Sequence, residues 1–280
     1  MLKKINNDEI NKYIDFAYSL AIDQTRSSYP LFTDLIKQKE DFIKHAKKCS
    51  SYSEYETLLF IYNDELEGLI QYFIIPEDKY LQLCGFNIKS RTEEGLKEFL
   101  KYIQNNYNDF DFYFGFPEVN IKATSFLKNN GFICIEESFN NTMIFDNYTI
   151  KEESANIIKV SKENFNEFRQ LHKTDPDTYW NSERIFKDLD KWNIYLYYKN
   201  NQAIGAILER NDEIFGLDYI NGIFNENTYT LLVTKVLNDL KLKGTRFLTF
   251  FNDENSQALA LKLGFVFVGK YVLYIMKTNR

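Results

Sequence analysis

Apolar residues recur at two spacings in the first half of the chain. Ile10, Ile14, Ala17 and Leu20 keep the spacing of one helix face, while Thr57–Tyr62 and Leu66–Ile74 are typical of strands. The dipeptide Asn63-Asp64 between those two runs favours a tight turn, which predicts an antiparallel hairpin. The pattern predicts, in order, strand 2–5, helices 8–21 and 32–46, strands 57–62, 66–74 and 81–88, helix 93–105, strand 110–116, helix 121–130, and strands 132–137 and 142–145.

The second half shows the same order of elements. The pattern there predicts strand 157–160, helices 161–172 and 182–189, strands 194–198, 203–210 and 213–220, helix 228–243, strand 246–251, helix 256–263, and strands 265–268 and 271–276. The short segment Asp146–Ser154 is polar, so we expect the boundary between two domains there. The expected domains are residues 1–150 and residues 151–280.

Two short sequences occur once in each half. The run Tyr62-Asn-Asp-Glu-Leu-Glu-Gly68-Leu-Ile recurs, with one insertion, as Tyr198-Lys-Asn-Asn-Gln-Ala-Ile-Gly205-Ala-Ile, and Gly131-Phe132 recurs as Gly264-Phe265. Both repeats are separated by nearly half of the 280 residues. A period of that length exceeds the 20 to 50 residues, roughly, of solenoid and propeller units, so it indicates a duplicated domain.

Composition and charge exclude several classes of protein. The formal charge of −6 disfavours nucleic acid or an acidic membrane as partner, because both need a basic surface. The N-terminal residues lack the apolar run of a signal peptide, and no stretch has the ~20 apolar residues of a membrane span. Three widely spaced cysteines and two histidines show neither a disulfide framework nor the spacing of a metal site. We therefore expect a cytoplasmic protein without a metal; its oligomeric state is not indicated.

The order of elements within each half resembles that of the GNAT superfamily of acetyl-CoA-dependent N-acetyltransferases, here as a tandem pair. A second resemblance is the helix before Gly131-Phe132, with Asn120, Ala123 and Phe126-Leu127 at the spacing of the family signature. The resemblance implies an α/β (α+β) fold of two GNAT-like domains. Each would have a mixed, mostly antiparallel central sheet flanked by helices.

The resemblance also implies where acetyl-CoA would bind. Family members hold its pyrophosphate on backbone amides of the loop after the fourth strand, at a helix N-terminus that favours an anion. In the first half, Arg91 and Gly95 match parts of that loop pattern, and the residues expected to bind the cofactor are Ile88, Arg91, Thr92, Gly95, Leu96 and Asn120. The second half has no glycine in its loop after Gly222. The alternative interpretation of the first loop is a plain helix start with acids in its first turn.

Candidate catalytic groups are few. Many family members have a tyrosine four residues before the Gly-Phe pair as general acid, but this chain has Leu127 and Ala260 there. The attacking amine must lose a proton, for which a carboxylate near the fourth strand is a suitable general base. Asp218, on the fourth strand of the second half, is therefore the predicted catalytic residue. The alternative is a carboxylate that only makes local hydrogen bonds.

By resemblance, the expected function is transfer of an acetyl group from acetyl-CoA to a primary amine of a small molecule or peptide, by direct attack in a ternary complex. The competing hypothesis is a non-catalytic pseudo-acetyltransferase that binds acyl-CoA or another protein. An open gap between the fourth and fifth strands would favour the enzyme. A gap filled by side chains such as Leu96 or Phe86 would favour the pseudoenzyme.

Overall fold

The computed structural model describes residues 1–33, 37–174 and 179–278 of the chain. These residues form two compact units. The first unit comprises Met1–Glu137 together with Val268–Arg280, and the second unit comprises Ser138–Phe267. These ranges differ from the expected 1–150 and 151–280, because the end of the chain belongs to the first unit. Whether either expected range folds on its own stays a prediction.

The first unit contains six strands and five α-helices among its described residues. They are β1 (Leu2–Ile5), α1 (Asn7–Ile10), α2 (Ile14–Ala21), α3 (Lys39–Ser51), β2 (Tyr55–Tyr62), β3 (Glu65–Ile75), β4 (Tyr80–Ile88), α4 (Thr92–Asn106), β5 (Asp111–Pro117), α5 (Ile121–Asn129) and, at the end of the chain, β12 (Val266–Met276). The strand order is β1-β2-β3-β4-β5-β12. Every pairing is antiparallel except β4 with β5.

The second unit follows the same plan. Its elements are β6 (Ile133–Ile144), β7 (Ile157–Lys159), α6 (Phe165–Leu171), α7 (Ser182–Lys187), β8 (Asn193–Lys199), β9 (Gln202–Arg210), β10 (Glu213–Tyr219), α8 (Glu226–Leu242), β11 (Phe247–Asn252) and α9 (Glu254–Leu263). The strand order is β6-β11-β10-β9-β8-β7, and β10 with β11 is the parallel pair. The predicted mixed, mostly antiparallel sheet flanked by helices is confirmed.

The last strands of the two halves are exchanged. Residues 139–144 of β6 pair with β11 of the second unit, while residues 271–276 of β12 pair with β5 of the first. The prediction of two short strands at the end of each half was wrong, since each pair is one continuous strand. The predicted helix 32–46 has other bounds: residues 34–36 lie outside the described part of the chain, and the helix runs from Lys39 to Ser51.

The repeated glycines occupy equivalent places. Gly68 of β3 lies opposite Ile88 at the end of the fourth strand of its unit, and Gly205 of β9 lies opposite Tyr219. A Cβ atom on Gly68 would approach the Ile88 Cδ1 atom to 2.1 Å, and one on Gly205 would approach the Thr228 Cγ2 atom to 2.4 Å. Both positions therefore need glycine so that a neighbouring side chain can lie against the strand.

Each unit packs a core on both faces of its sheet. In the first unit, β3, β4, α4 and β5 supply one cluster that includes Tyr72, Phe86, Leu96 and Phe114. The helices α1, α2 and α3 cover the opposite face of the sheet. In the second unit, α8 and β11 form one cluster, and α6, β8 and β9 form the other. The sheet of each unit thus lies between helices.

A hydrogen-bond network centred on one carboxylate links several elements of the first unit. Glu56 on β2 accepts hydrogen bonds from the Lys4 Nζ atom at 2.7 Å and from the hydroxyls of Tyr72, Tyr102 and Tyr107 at 2.6, 3.3 and 3.2 Å. Tyr72 is fully buried, so its hydroxyl depends on this protein acceptor. The network joins β1, β2, β3 and α4.

Candidate functional site

The parallel strands of the first unit separate towards their carboxyl ends. Strands β4 and β5 pair at three positions, the last being Gln82 with Tyr113. Beyond that point the gap is crossed by residues 26–29, which we call the inserted segment. The Ile88 amide donates to the Arg26 carbonyl oxygen at 3.0 Å, and the Tyr29 amide donates to the Gly115 carbonyl oxygen at 3.1 Å. The protein's own backbone thus bonds to both separated strands.

The inserted segment is an integral part of the interior. Ser27 and Ser28 are only 1% and 2% exposed. Asn120 uses both ends of its side-chain amide here: its Oδ1 atom accepts from the Ala123 amide at 3.2 Å and caps α5, and its Nδ2 atom donates to the Ser27 carbonyl oxygen at 3.1 Å. The predicted cofactor residue Asn120 therefore holds the inserted segment in place.

A buried carboxylate lies at the loop that was expected to bind pyrophosphate. Glu67, 6% exposed, accepts from the Ser90 amide at 3.2 Å and from the Ser90 hydroxyl at 3.0 Å, both through its Oε2 atom. Backbone amides in such a loop attract an anion. In this chain the Ser90 amide already binds an internal anion, the Glu67 carboxylate.

Arg91 lies at the start of α4 and faces solvent. Its Nη1 atom pairs with the Glu94 Oε1 atom at 3.1 Å, and its guanidinium lies 4.8 Å from the centre of the Tyr62 ring. An open cavity of about 440 Å³ is lined by Ser90, Arg91, Thr92, Glu93, Glu94 and Lys122. Two of the lining residues are acids, so the cavity has no strong excess of positive charge.

The other predicted cofactor residues lie inside the first unit. Ile88 and Leu96 are fully buried, and Thr92 is 4% exposed. A Cβ atom added to Gly95 would touch Ile88 and Phe60 at 3.4 Å. These four residues therefore pack α4 against β4. Their predicted role in binding acetyl-CoA stays a prediction.

The second unit has the same parting of parallel strands. Strands β10 and β11 pair at Glu213 with Thr249 and at Ile214 with Phe250. A bulge follows at Phe215 in β10, at the position where β4 has its bulge at Cys84. The fourth strand is thus kinked at the same place in both units.

The loop from β10 to α8 is longer than its counterpart in the first unit. Asn221 and Gly222 adopt left-handed backbone conformations, with φ of 57° and 68°, and the side chains of Ile223 and Asn227 are exposed. Asn225 caps α8, because its Oδ1 atom accepts from the Thr228 amide at 2.9 Å. The first turn of this helix carries a single acid.

The predicted catalytic residue Asp218 has a partner that the sequence did not indicate. The Nδ1 atom of His172 lies 2.8 Å from the Asp218 Oδ2 atom, and its Nε2 atom lies 3.0 Å from the Trp180 carbonyl oxygen. Both partners can accept hydrogen bonds, so the geometry favours the doubly protonated imidazolium form of His172. Burial by itself disfavours that cation, but the Asp218 hydrogen bond and charge, with the Trp180 carbonyl, outweigh it and raise the pKa of His172.

The His172–Asp218 pair predicts a pH-dependent stability. Because the pKa of His172 is raised in the folded protein, the pair contributes fully below its unfolded value of 6.5 and is lost as pH rises through the folded value. We expect His172→Gln to destabilise the protein by about 1.5–3 kcal/mol near pH 5.5 and by clearly less near pH 9. Thermal unfolding of both proteins at the two pH values checks this. An equal loss at both would contradict the charged pair.

Tyr219 follows Asp218 at the end of β10, and Tyr229 lies on α8. Burial raises the pKa of Tyr219, and the charges of Asp253 and Asp218 add to the effect. Burial likewise raises the pKa of Tyr229. In the described part of the chain, the buried Tyr229 hydroxyl has no hydrogen-bond partner. Both phenols are therefore neutral at physiological pH.

The predicted cofactor-binding residues and the predicted catalytic residue therefore lie in different units. Ile88, Arg91, Thr92, Gly95, Leu96 and Asn120 belong to the first unit, and Asp218 belongs to the second. Sequence reasoning missed the inserted segment, Glu67 and His172. Among these, His172 could have been singled out from the sequence, since it is one of only two histidines in the chain. Within the described residues, no cluster of side chains is arranged to hold a metal and no helix is long and apolar enough to cross a membrane.

No protein-family model and no curated protein matches this sequence. Several solved structures do match the fold. A GCN5-related N-acetyltransferase from Sphaerobacter thermophilus is 12% identical with a TM-score of 0.63, over 100% of this chain and 96% of that one. A tandem GNAT protein from the clavulanic acid biosynthesis pathway is 10% identical with a TM-score of 0.58, over 100% and 99%.

A third similar structure is part of a larger protein. It is a glucosamine N-acetyltransferase region in a fungal multi-domain β-N-acetylglucosaminidase, 9% identical with a TM-score of 0.61, covering 99% of this chain and 38% of that one. These similarities show that the chain has the GNAT fold. The predicted resemblance to a tandem GNAT protein is thereby confirmed at the level of fold.

Proposed function

We propose that this protein is an acyl-CoA-dependent N-acyltransferase whose working site lies in the second unit. It would transfer an acetyl group from acetyl-CoA to a primary amine. The observation that carries the proposal is the contrast between the two parallel strand pairs. The first unit fills its gap with its own backbone, whereas the second unit carries a carboxylate, Asp218, on its fourth strand.

We infer that acetyl-CoA does not bind in the first unit. An extended pantetheine arm between β4 and β5 would compete with the inserted segment, which already bonds to the Ile88 amide and the Gly115 carbonyl. A pyrophosphate bound to this loop would lie next to the Glu67 carboxylate, which already accepts from the Ser90 amide. Like charges about 4 Å apart repel by about 4 kcal/mol at an effective dielectric near 20. We therefore derive no chemical step in the first unit and assign it a structural role.

The second unit fits the cofactor better. Backbone groups of Asn221–Asn225 and the first turn of α8 would hold the diphosphate, because the loop is exposed and a helix N-terminus favours an anion. Glu226 is the one acid in that turn. When bound, acetyl-CoA supplies an acyl group activated as a thioester.

Asp218 is placed to take the proton that the amine loses. Its Oδ2 atom is held by the His172 imidazolium, and its Oδ1 atom has no donor within the described part of the chain. The proton would therefore go to Oδ1. His172 fixes the carboxylate in orientation and charge. The raised pKa of Tyr219 makes this phenol a weak acid, so water is the proton donor for the leaving thiolate.

A binding measurement with two matched variants tests this placement. Asn227→Glu adds a negative charge at the start of α8, where an acid favours the helix, so the fold is retained. We expect isothermal titration to show acetyl-CoA binding that is weakened at least about tenfold in this variant. In contrast, Arg91→Ala should leave the affinity within about twofold of wild type, since a surface pair contributes little.

Two results would overturn the proposal. Binding lost in Arg91→Ala but kept in Asn227→Glu would move the cofactor to the first unit. No binding of acetyl-CoA up to millimolar concentration would remove the acyltransferase function altogether.

The second candidate function is a non-catalytic pseudo-acetyltransferase. The specific observation in its favour is again the inserted segment, together with Leu127 and Ala260 where the family has its tyrosine. The two candidates differ in one measurement. An acyltransferase releases CoA thiol from acetyl-CoA in the presence of primary amines, and a pseudoenzyme does not.

A further inference from the structure

A cavity of about 330 Å³ opens in the second unit, on the face of the sheet that α6 covers. Its lining comes from α6 and the residues just after it, from the start of β9, and from residues 220 and 221, which follow β10. Ligand pockets in proteins measure about 300–1,000 Å³, so this cavity has the size for a small molecule.

The cavity lies next to the His172–Asp218 pair. Leu171, which lines it, directly precedes His172, and Ile220, which also lines it, follows Asp218 by two residues. Leu171 and Ile220 pack in the same hydrophobic cluster. The Asp218 carboxylate is turned to the same face of the sheet, because it bonds to His172 after α6. A ligand in the cavity can therefore present one of its groups to Asp218.

Amide side chains dominate the lining of the cavity. Six of the nine lining residues are polar: Glu167, Gln170, Lys173, Asn201, Gln202 and Asn221. In the part of the chain that the structure describes, the four side-chain amides among them have no hydrogen-bond partner. An amide both donates and accepts, as a hydroxyl does, so four free amides match a ligand with several hydroxyl groups. The other three residues, Leu171, Ala203 and Ile220, offer apolar surface to its C–H groups.

Backbone geometry accounts for two of the four amides but not for the other two. Asn201 and Asn221 have left-handed backbone conformations, with φ of 60° and 57°, which favour asparagine even without a ligand. Gln170 on α6 and Gln202 at the start of β9 lie outside the left-handed region, and both are exposed. Recognition of a ligand can therefore be tested at the two glutamines without disturbing the backbone.

The charges around the cavity distinguish between classes of amine. Glu167 and Lys173 carry opposite charges, so the lining has no net charge. A polyamine would be attracted by several carboxylates, and the carboxylate of an amino acid by an excess of positive charge. An amino sugar has one amine for Asp218 and several hydroxyls for the amides, so its groups match both parts of the site.

We propose that this cavity binds the acceptor amine as an amino sugar, with its amine towards Asp218 and its hydroxyls on Gln170 and Gln202. The proposal rests on the proposed function, because it names the class of acceptor for that site. It concerns binding of the sugar, which is measured without acetyl-CoA.

Saturation-transfer NMR of the whole chain with glucosamine, without acetyl-CoA, tests the proposal. We expect a Kd of about 0.1–5 mM, as for a small hydrophilic ligand. Gln170→Ala and Gln202→Ala should each weaken binding about threefold, and the double variant about tenfold. The matched control is Gln104→Ala, which changes an exposed glutamine on α4 of the first unit and should leave the Kd unchanged.

Two further ligands separate the amine from the hydroxyls. Glucose, which lacks the amine, should bind at least about fivefold more weakly than glucosamine, and Asp218→Asn should reduce that difference. Binding of 1,4-diaminobutane, which lacks hydroxyls, should be the same in wild type and in the Gln170→Ala/Gln202→Ala double variant.

Three results would overturn the sugar site: no binding of glucosamine, a Kd unchanged in the double variant, or displacement of glucosamine by acetyl-CoA. The last would assign the cavity to the cofactor. Failure of the proposed function looks different. Glucosamine bound as expected, but without release of CoA thiol, would keep the sugar site and remove the acyltransferase. Release of CoA thiol with 1,4-diaminobutane but not with glucosamine would keep the acyltransferase and remove the sugar site.

Discussion

Asp218→Asn is expected to lower the rate of acyl transfer by about 10²- to 10⁴-fold, the usual effect of losing a general base. This corresponds to about 3–5 kcal/mol in the activation free energy. The asparagine keeps the size of the side chain and can still accept from His172, but it cannot take a proton from the amine. Release of CoA thiol, measured with acetyl-CoA and a set of amino sugars, polyamines and amino acids, checks the prediction.

The matched control for Asp218 is His172→Gln, which leaves the carboxylate in place. If Asp218 is the base, His172→Gln should retain clearly more activity than Asp218→Asn at the same pH. If Asp218 only anchors the segment between α6 and α7 to β10 through its bond to His172, the two variants should lose similar activity. Equal losses would therefore contradict the assignment and leave Asp218 as a positioning residue.

Glu56→Ala is expected to cause the largest loss of stability. The substitution leaves the hydroxyls of Tyr72, Tyr102 and Tyr107 without their acceptor and Lys4 without its partner. Breaking such a network costs about 2–4 kcal/mol, because buried polar groups become unsatisfied. Denaturant unfolding of wild type and variant measures the difference.

The same residue predicts a pH dependence of the opposite sign from His172. Burial opposes ionisation of Glu56, but the hydrogen bonds from Lys4 and Tyr72 outweigh it and lower its pKa below 4.5. Its contribution is therefore present above that value and is lost as pH falls through the folded value. Glu65→Ala, an exposed acid on β3, should change stability by at most about 0.5 kcal/mol. A comparable loss in both variants would argue against the network.

The order of elements could be predicted because it depends on local patterns. Asn63-Asp64 adopts the left-handed turn conformation at φ of 49° and 63°, as the dipeptide indicates. Gly68 and Gly205 recur because each permits close packing at the same place in its sheet. Such constraints act between near neighbours, so a single sequence reveals them.

Which distant segments of the chain contact each other could not be predicted from the sequence. The pattern of β12 shows a strand but not that the strand pairs with β5, because alternating apolar residues fit any sheet edge. The inserted segment bonds through backbone groups of Arg26 and Tyr29, which every residue type possesses, so no side-chain pattern marks it. The partner of Asp218 likewise lies 46 residues away in the sequence.

The central claim is that acetyl-CoA binds in the second unit because the gap between β4 and β5 of the first unit is filled by its own chain. Hydrogen exchange with and without acetyl-CoA tests this claim most directly. The Ile88 and Tyr29 amides are hydrogen-bonded inside the first unit, so they should exchange slowly without the cofactor. Acetyl-CoA should then slow exchange in residues 219–229 and leave residues 86–95 unchanged. Protection that develops in residues 86–95, with residues 26–29 released to solvent, would contradict the account.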